Sequence, residues 1–136
     1  MKQLINVILL AVFSFPCLAE VAVIVHPSNS ADLDRSKISK IFLGKQKKFS
    51  GGATVIPISQ NADQDVKNQF DKKVLSKSAS QLKAYWSKLL FTGKGQPPKE
   101  MMNDQEVISL VSSNPNIIGY IDAKNVDDSV KVVATF

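Results

Sequence analysis

Cysteine is all but missing from this chain: there is one in 136 residues, Cys17, and it sits in an N-terminal segment with the character of a leader. The chain after residue 19 therefore has no disulfide, thiolate nucleophile or thiolate metal ligand, and apolar burial has to hold it together. Histidine is equally scarce. His26 alone would have to serve any imidazole-centred metal site or Ser-His-Asp triad, so the ordinary expectation is a strand-end side chain satisfied by backbone partners. Long apolar runs are short too: Leu4 to Phe15 spans 12 residues, against the roughly 20 that cross a bilayer. Concentrated charge is the last absence. The formal charge is +5, or +4 without Lys2, and apart from "GKQKKF" (44–49) it is dispersed along the chain's helices, which argues against a nucleic-acid partner.

What is present begins with "MKQLINVILLAVFSFPCLA": a cationic Lys2, an apolar run and a small Ala19 before Glu20. This is the pattern of a secretory signal, with cleavage expected after Ala19. The bulky Pro16 before Cys17 argues against a lipidated cysteine. Residues 1–19 are thus expected to be a signal peptide and residues 20–136 one domain with one core, periplasmic and not embedded in the membrane.

Along that domain, "EVAVIVHP" (20–27) is a continuous β-branched run that reads as a strand buried on both faces. "SKISKIFLG" (36–44) reads as a short helix capped by Asp34 or Ser36 and stopped by Gly44. "TVIPIS" (54–59) is a second strand, in which Pro57 implies an edge position or an irregular ladder. Val66, Phe70 and Val74 form one helical stripe, and Leu82, Tyr85, Trp86, Leu89 and Leu90 a second, with a capping box from Ser78 and Gln81. "FTGKGQPP" (91–98) must be a loop. Asn103 and Glu106 suggest another capping box, opening a helix with Val107, Leu110 and Val111 inward. "IIGYI" (117–121) and "VKVVATF" (130–136) complete four strands. Strands alternating with helices predict an α/β layered domain, whose core should hold Val23, Phe42, Phe70, Leu82, Trp86, Leu89 and Ile118.

The remaining motifs point to little chemistry. "TGKG" with Lys94 lacks the G-x-x-x-x-G-K-[ST] spacing and follows a helix, so a C-cap and turn is the expectation. Asp122, Asp127 and Asp128 lack the spacing of a calcium loop and read as a solvated turn. Tyr85 and Trp86 read as core and "GKQKK" as solvated surface, though this dense positive charge could meet an acidic partner. With no nucleophile, base and oxyanion donor set, the chain reads as a non-enzyme without metal or cofactor.

"SKISKIFLGK", "YWSKLLFTGKGQPP" and "VISLVSSNPNIIGYID", taken in order over roughly residues 20–126, resemble the periplasmic phosphate-binding protein family, the solute receptors of phosphate ABC transporters. The resemblance implies a single lobe of a type II periplasmic-binding-protein-like fold, a small mixed sheet flanked by helices. The matching segments are those of the family's second lobe, so the first lobe's glycine and serine loop has no counterpart. In the family, the loop after the second strand carries an arginine and then Ser-Gly-Thr at a helix start, which hold the phosphate. Here it is "SQNADQD", with Asp63 and Asp65 in the first turn, where carboxylates satisfy the helix dipole and repel an anion. A reduced or altered anion site follows.

Open α/β sheets bind ligands at the carboxyl ends of their strands. The candidate site is therefore Ser28, Asn29 and Ser30 with Ser59, Gln60 and Asn61, converging around phosphate or another small oxyanion held weakly. The alternative is an interaction module for an envelope sensor, chemoreceptor or transporter partner, with no small ligand. A homodimer would restore a two-sided cleft.

Overall fold

The protein is described here by a computed structural model covering residues 19–136. The expected leader, with Lys2 and Cys17, lies outside the described residues apart from Ala19. The chain runs β1 (Val21–Val25), α1 (Arg35–Phe42), β2 (Ile56–Gln60), α2 (Asp65–Phe70), α3 (Ala79–Phe91), β3 (Lys99–Met101), α4 (Asp104–Ser113), β4 (Ile117–Asp122) and β5 (Lys131–Thr135). One mixed sheet has the order β3-β2-β4-β1-β5, so the expected layered α/β architecture is present.

All five residues of β1 are buried. Val21, Val23 and Val25 face a core shared with α1 and α2, whereas Ala22 and Ile24 face a second core shared with α4. The continuous apolar run thus reflects helices on both faces. It does not reflect parallel pairing, because β1 is antiparallel to both β4 and β5. β2 is an interior strand, which removes the edge position that Pro57 suggested. Its ladder is irregular instead: Ile56 and Pro57 pair with β4, while Ile58 to Gln60 pair with β3 on the other side. β3 is a fifth strand that the sequence pattern does not reveal, since only Met101 of its three residues is buried and two prolines precede it.

Local chemistry sets the helix ends. The Asp34 carboxylate accepts from Lys37 N at 2.8 Å to start α1, and Gly44, at φ +74°, lets the chain leave it. A side chain there would also meet the Trp86 ring, 3.5 Å from a Cβ. Ser78 and Gln81 form the expected reciprocal box on α3. At α4 only half of the pattern holds: Asn103 accepts from Glu106 N, but the Glu106 carboxylate turns to Met102 N, 3.0 Å away. The inward residues of α4 are Val107, Ile108 and Val111, with Leu110 half-buried.

After α2 the helix continues as a π turn (Asp71–Leu75) that ends at Ser76, whose φ is +54°. The wider turn keeps Phe70 and Val74 inside. Phe70 stacks on Tyr120 with ring centres 3.9 Å apart and meets Phe42 edge-on at 4.7 Å. α3 departs from expectation. Its stripe buries only Leu82, with Tyr85 and Trp86 packed against the core from its margin, while Leu89 is half-buried and Leu90 exposed. Trp86 and Leu89 are therefore not core centres, because the stripe outruns the surface available to cover it.

Asp71, 3% exposed, is paired with Lys67 at 3.2 Å. Burial raises its carboxyl above the usual carboxylate range, against the opposing pull of Lys67. A raised folded-state value means that the fold favours the protonated acid. This group then adds stability below the ordinary carboxylate pKa and loses that contribution as pH rises through the folded value. Asp71→Asn should consequently hold or gain stability at neutral pH and flatten the acid-side profile, as read by urea melts at several pH values. A clear loss at neutral pH would mean that the Lys67 pair outweighs the burial cost.

Candidate functional site

The six candidate residues fall into two groups that the topology keeps apart. β1 ends beside the start of β4, with Val25 opposite Ile118, whereas β2 runs parallel to β4 and ends beside its far half. Asn29 reaches the Pro115 carbonyl and Gln60 the Tyr120 carbonyl, so about 15 Å of strand lies between the two groups. The expected convergence of Ser28, Asn29 and Ser30 with Ser59, Gln60 and Asn61 is not formed. Strand direction decides this, and neither run of residues encodes it.

The first group lines a shallow cleft of about 410 Å³ with Phe49 and Asn116. Its polar atoms are largely engaged locally. His26 Nδ1 accepts from Ser28 N at 3.1 Å and lies 2.7 Å from Ser28 Oγ, the backbone partnership expected of this histidine. Asn29 Oδ1 accepts from Ala31 N at 2.8 Å, closing a turn. Ser30 is exposed.

In the second group only Asn61 faces outward, since Ser59 is 8% and Gln60 0% exposed. The Tyr120 hydroxyl accepts from Gln60 N and lies 2.7 Å from Ser59 Oγ. Burial, only partly offset by these bonds, pushes that hydroxyl well above its ordinary pKa, so it remains protonated. Gln60 Nε2 donates to the Tyr120 carbonyl at 2.8 Å and to Asp104 Oδ1 at 2.7 Å. Asp104 Oδ2 in turn accepts from Asp122 N and Asn125 Nδ2. One carboxylate at the start of α4 thereby ties together β2, β4 and the turn after β4. Gln60 Oε1 is buried with no hydrogen-bond partner among the described residues.

Beside this network lies a cleft of about 290 Å³ lined by Asp63, Asp65, Asp104 and Asp122, against one cation, Lys124. Asp104 and Asp122 have no motif of their own, and their role is invisible until β4 and α4 pack together. The fold gathers positive charge elsewhere. Of the 16 Lys and Arg among the described residues, 13 lie in 35–48 and 72–99, two stretches without a single acid. They belong to α1, the π turn, α3, β3 and the segments between them; α1, the π turn and α3 pack on the core across the sheet from α4. Seven of them lie on α1, the π turn and α3, and the rest on the turns and strand beside these elements.

No family model matches the sequence, and no curated protein matches it. Solved structures do match the fold. An ABC-type phosphate transport receptor from Vibrio cholerae superposes with a TM-score of 0.66 at 17% identity, over 85% of this chain and 46% of the receptor. PstS from Borrelia burgdorferi gives 0.61 at 17% identity, over 85% and 47%. A Clostridium perfringens protein assigned to the phosphate ABC transporter substrate-binding proteins, solved with bound phosphate, gives 0.63 at 23% identity, over 85% and 45%. The chain has the fold of these receptors over slightly less than half their length, as the single-lobe expectation requires.

Proposed function

We propose that this protein is an exported, periplasmic module that keeps one lobe of the phosphate-receptor fold, has given up free phosphate capture at the strand end, and works by docking to a partner. The observation that carries this reading is the cleft of four carboxylates beside Ser59 and Gln60. An anion entering there would meet negative charge, while Ser59 and Gln60 are committed to the interior and cannot donate to it. Ser28, Asn29 and Ser30, at the other end of β1, cannot supply the missing donors to the same ion. Among the described residues no helix is long and apolar enough to cross a membrane.

Each charge-assisted hydrogen bond to phosphate is worth roughly 1.5 to 3 kcal/mol. Losing three or four, an arginine fork among them, moves a micromolar receptor to a Kd weaker than about 1 mM. Calorimetric titration of phosphate, sulfate and nitrate at low salt should therefore show no saturable binding, with the solution mass recorded in the same buffer. Tight phosphate binding by a monomer would return the chain to solute capture, and tight binding by a dimer would mean that a second copy completes the cleft.

A further inference from the structure

The basic helical layer and the outer end of α3 play no part in the strand-end cleft. Lys83, Lys88 and Lys94 are exposed and have no carboxylate partner among the described residues, whose ion pairs are Lys67 with Asp71 and Lys124 with Asp122. Between Lys88 and Lys94 the helix ends in Leu90, 54% exposed, and Phe91, 94% exposed. An aromatic ring left almost wholly in water beside unpaired lysines costs free energy unless something covers it. Among the described residues α3 packs on the core through Leu82, Tyr85 and Trp86, and Leu90 and Phe91 in its last turn stand in solvent.

We propose that this layer docks on an anionic lipid surface, with Lys88, Lys94 and the neighbouring lysines meeting phosphate headgroups and the Leu90–Phe91 tip entering the acyl boundary. Charge complementarity selects the occupant. A second copy brought against the same layer would set lysine against lysine. An acidic protein would need a pocket shaped for a ring at the convex end of a helix, whereas a fluid bilayer needs none and conforms to charges spread over several elements. The inference deepens the docking reading and rests on it, yet the two fail separately. Tight phosphate binding would remove the first, while vesicle measurements decide the second.

The chain from Glu20 onward holds every core residue among the described residues and is the form to use, so that the apolar segment before it adds no lipid affinity. Co-sedimentation with vesicles of mixed phosphatidylglycerol and phosphatidylcholine should show saturable binding that weakens with salt, and vesicles of phosphatidylcholine alone should show far less. Leu90→Ser with Phe91→Ser should weaken binding by about tenfold or more without lowering Tm, and Lys88→Glu with Lys94→Glu by a similar factor. Three results would overturn the proposal: no binding to the anionic vesicles, equal binding to both vesicle types, or full binding by the Leu90 and Phe91 variant. The last would leave only a polybasic surface, of the kind an acidic protein would also recognise.

Discussion

Replacing Gly119 by valine should remove a large share of the protein's stability, and even alanine should be costly. Gly119 lies mid-strand in β4, opposite Ile24 of β1, beneath α4. A Cβ built there would stand 2.6 Å from Val107 Cγ1 and 3.2 Å from Ile58 Cγ1. The first distance is well inside van der Waals contact, and both neighbours are core residues, 0% and 3% exposed. Relief requires α4 to lift or Ile58 and Val107 to leave their rotamers, the usual route by which overpacking costs roughly 1 to 3 kcal/mol. Alanine recovers part of this, about 0.4 to 1 kcal/mol, by stiffening the unfolded chain, so a net loss of about 1 to 2 kcal/mol is expected. Valine adds two methyls in the same space and should exceed 3 kcal/mol, a large share of a total of roughly 5 to 15. Urea melts would measure both. The causal contact can be isolated, because Val107→Ala in the alanine background should cost less than Val107→Ala alone. An unchanged midpoint for Gly119→Ala would mean that α4 does not seat on β4 as described.

That glycine marks the limit of what the residues disclose. "IIGYI" and "EVAVIV" read as buried strands and are buried, because their apolar runs persist whichever neighbours they acquire. "VKVVATF" is a strand as read, but β5 lies at the sheet edge and none of its residues from Lys131 to Thr135 is fully buried. Asp34, Gly44 and the Ser78–Gln81 box were likewise legible, since caps act within a few residues of sequence. The readings that failed depend on partners distant in the chain. Strand direction placed Ser28 to Ser30 and Ser59 to Asn61 at opposite ends of the sheet, although each run follows an apolar strand and looks equally apt. β3 was missed because Lys99 and Glu100 carry no strand signal and are ordered only by pairing with Ile58 and Ser59. The acidic cleft was half legible: Asp63 and Asp65 stood out at a helix start, whereas Asp104 and Asp122 join them only through packing. The lysines looked dispersed for the same reason.

The sharpest contrast within one pattern is between Phe70 and Leu89, and it yields the second large effect. Both lie on clean helical stripes, and by periodicity alone their truncation should cost the same. In the fold, Phe70 is 0% exposed between Tyr120 and Phe42, at the point where α2 gives way to the π turn. Phe70→Ala removes the stacked ring, opens a cavity against a tyrosine whose hydroxyl anchors Ser59 and Gln60, and leaves Phe42 without its edge contact. A loss of roughly 3 to 5 kcal/mol is expected, since rigid neighbours cannot collapse into the space. Leu89 is half-buried, stands outside both cores and shares its turn with exposed Leu90. Leu89→Ala should cost less than about 1 kcal/mol, because water already reaches the side chain and no cavity forms. Denaturant midpoints at a common m-value would separate the two, and near-ultraviolet circular dichroism would show whether Tyr120 loses its fixed environment in the Phe70 variant only. Equal losses would mean that the last turns of α3 press on the core in solution, which would also withdraw Leu90 and Phe91 from any surface they could offer to lipid.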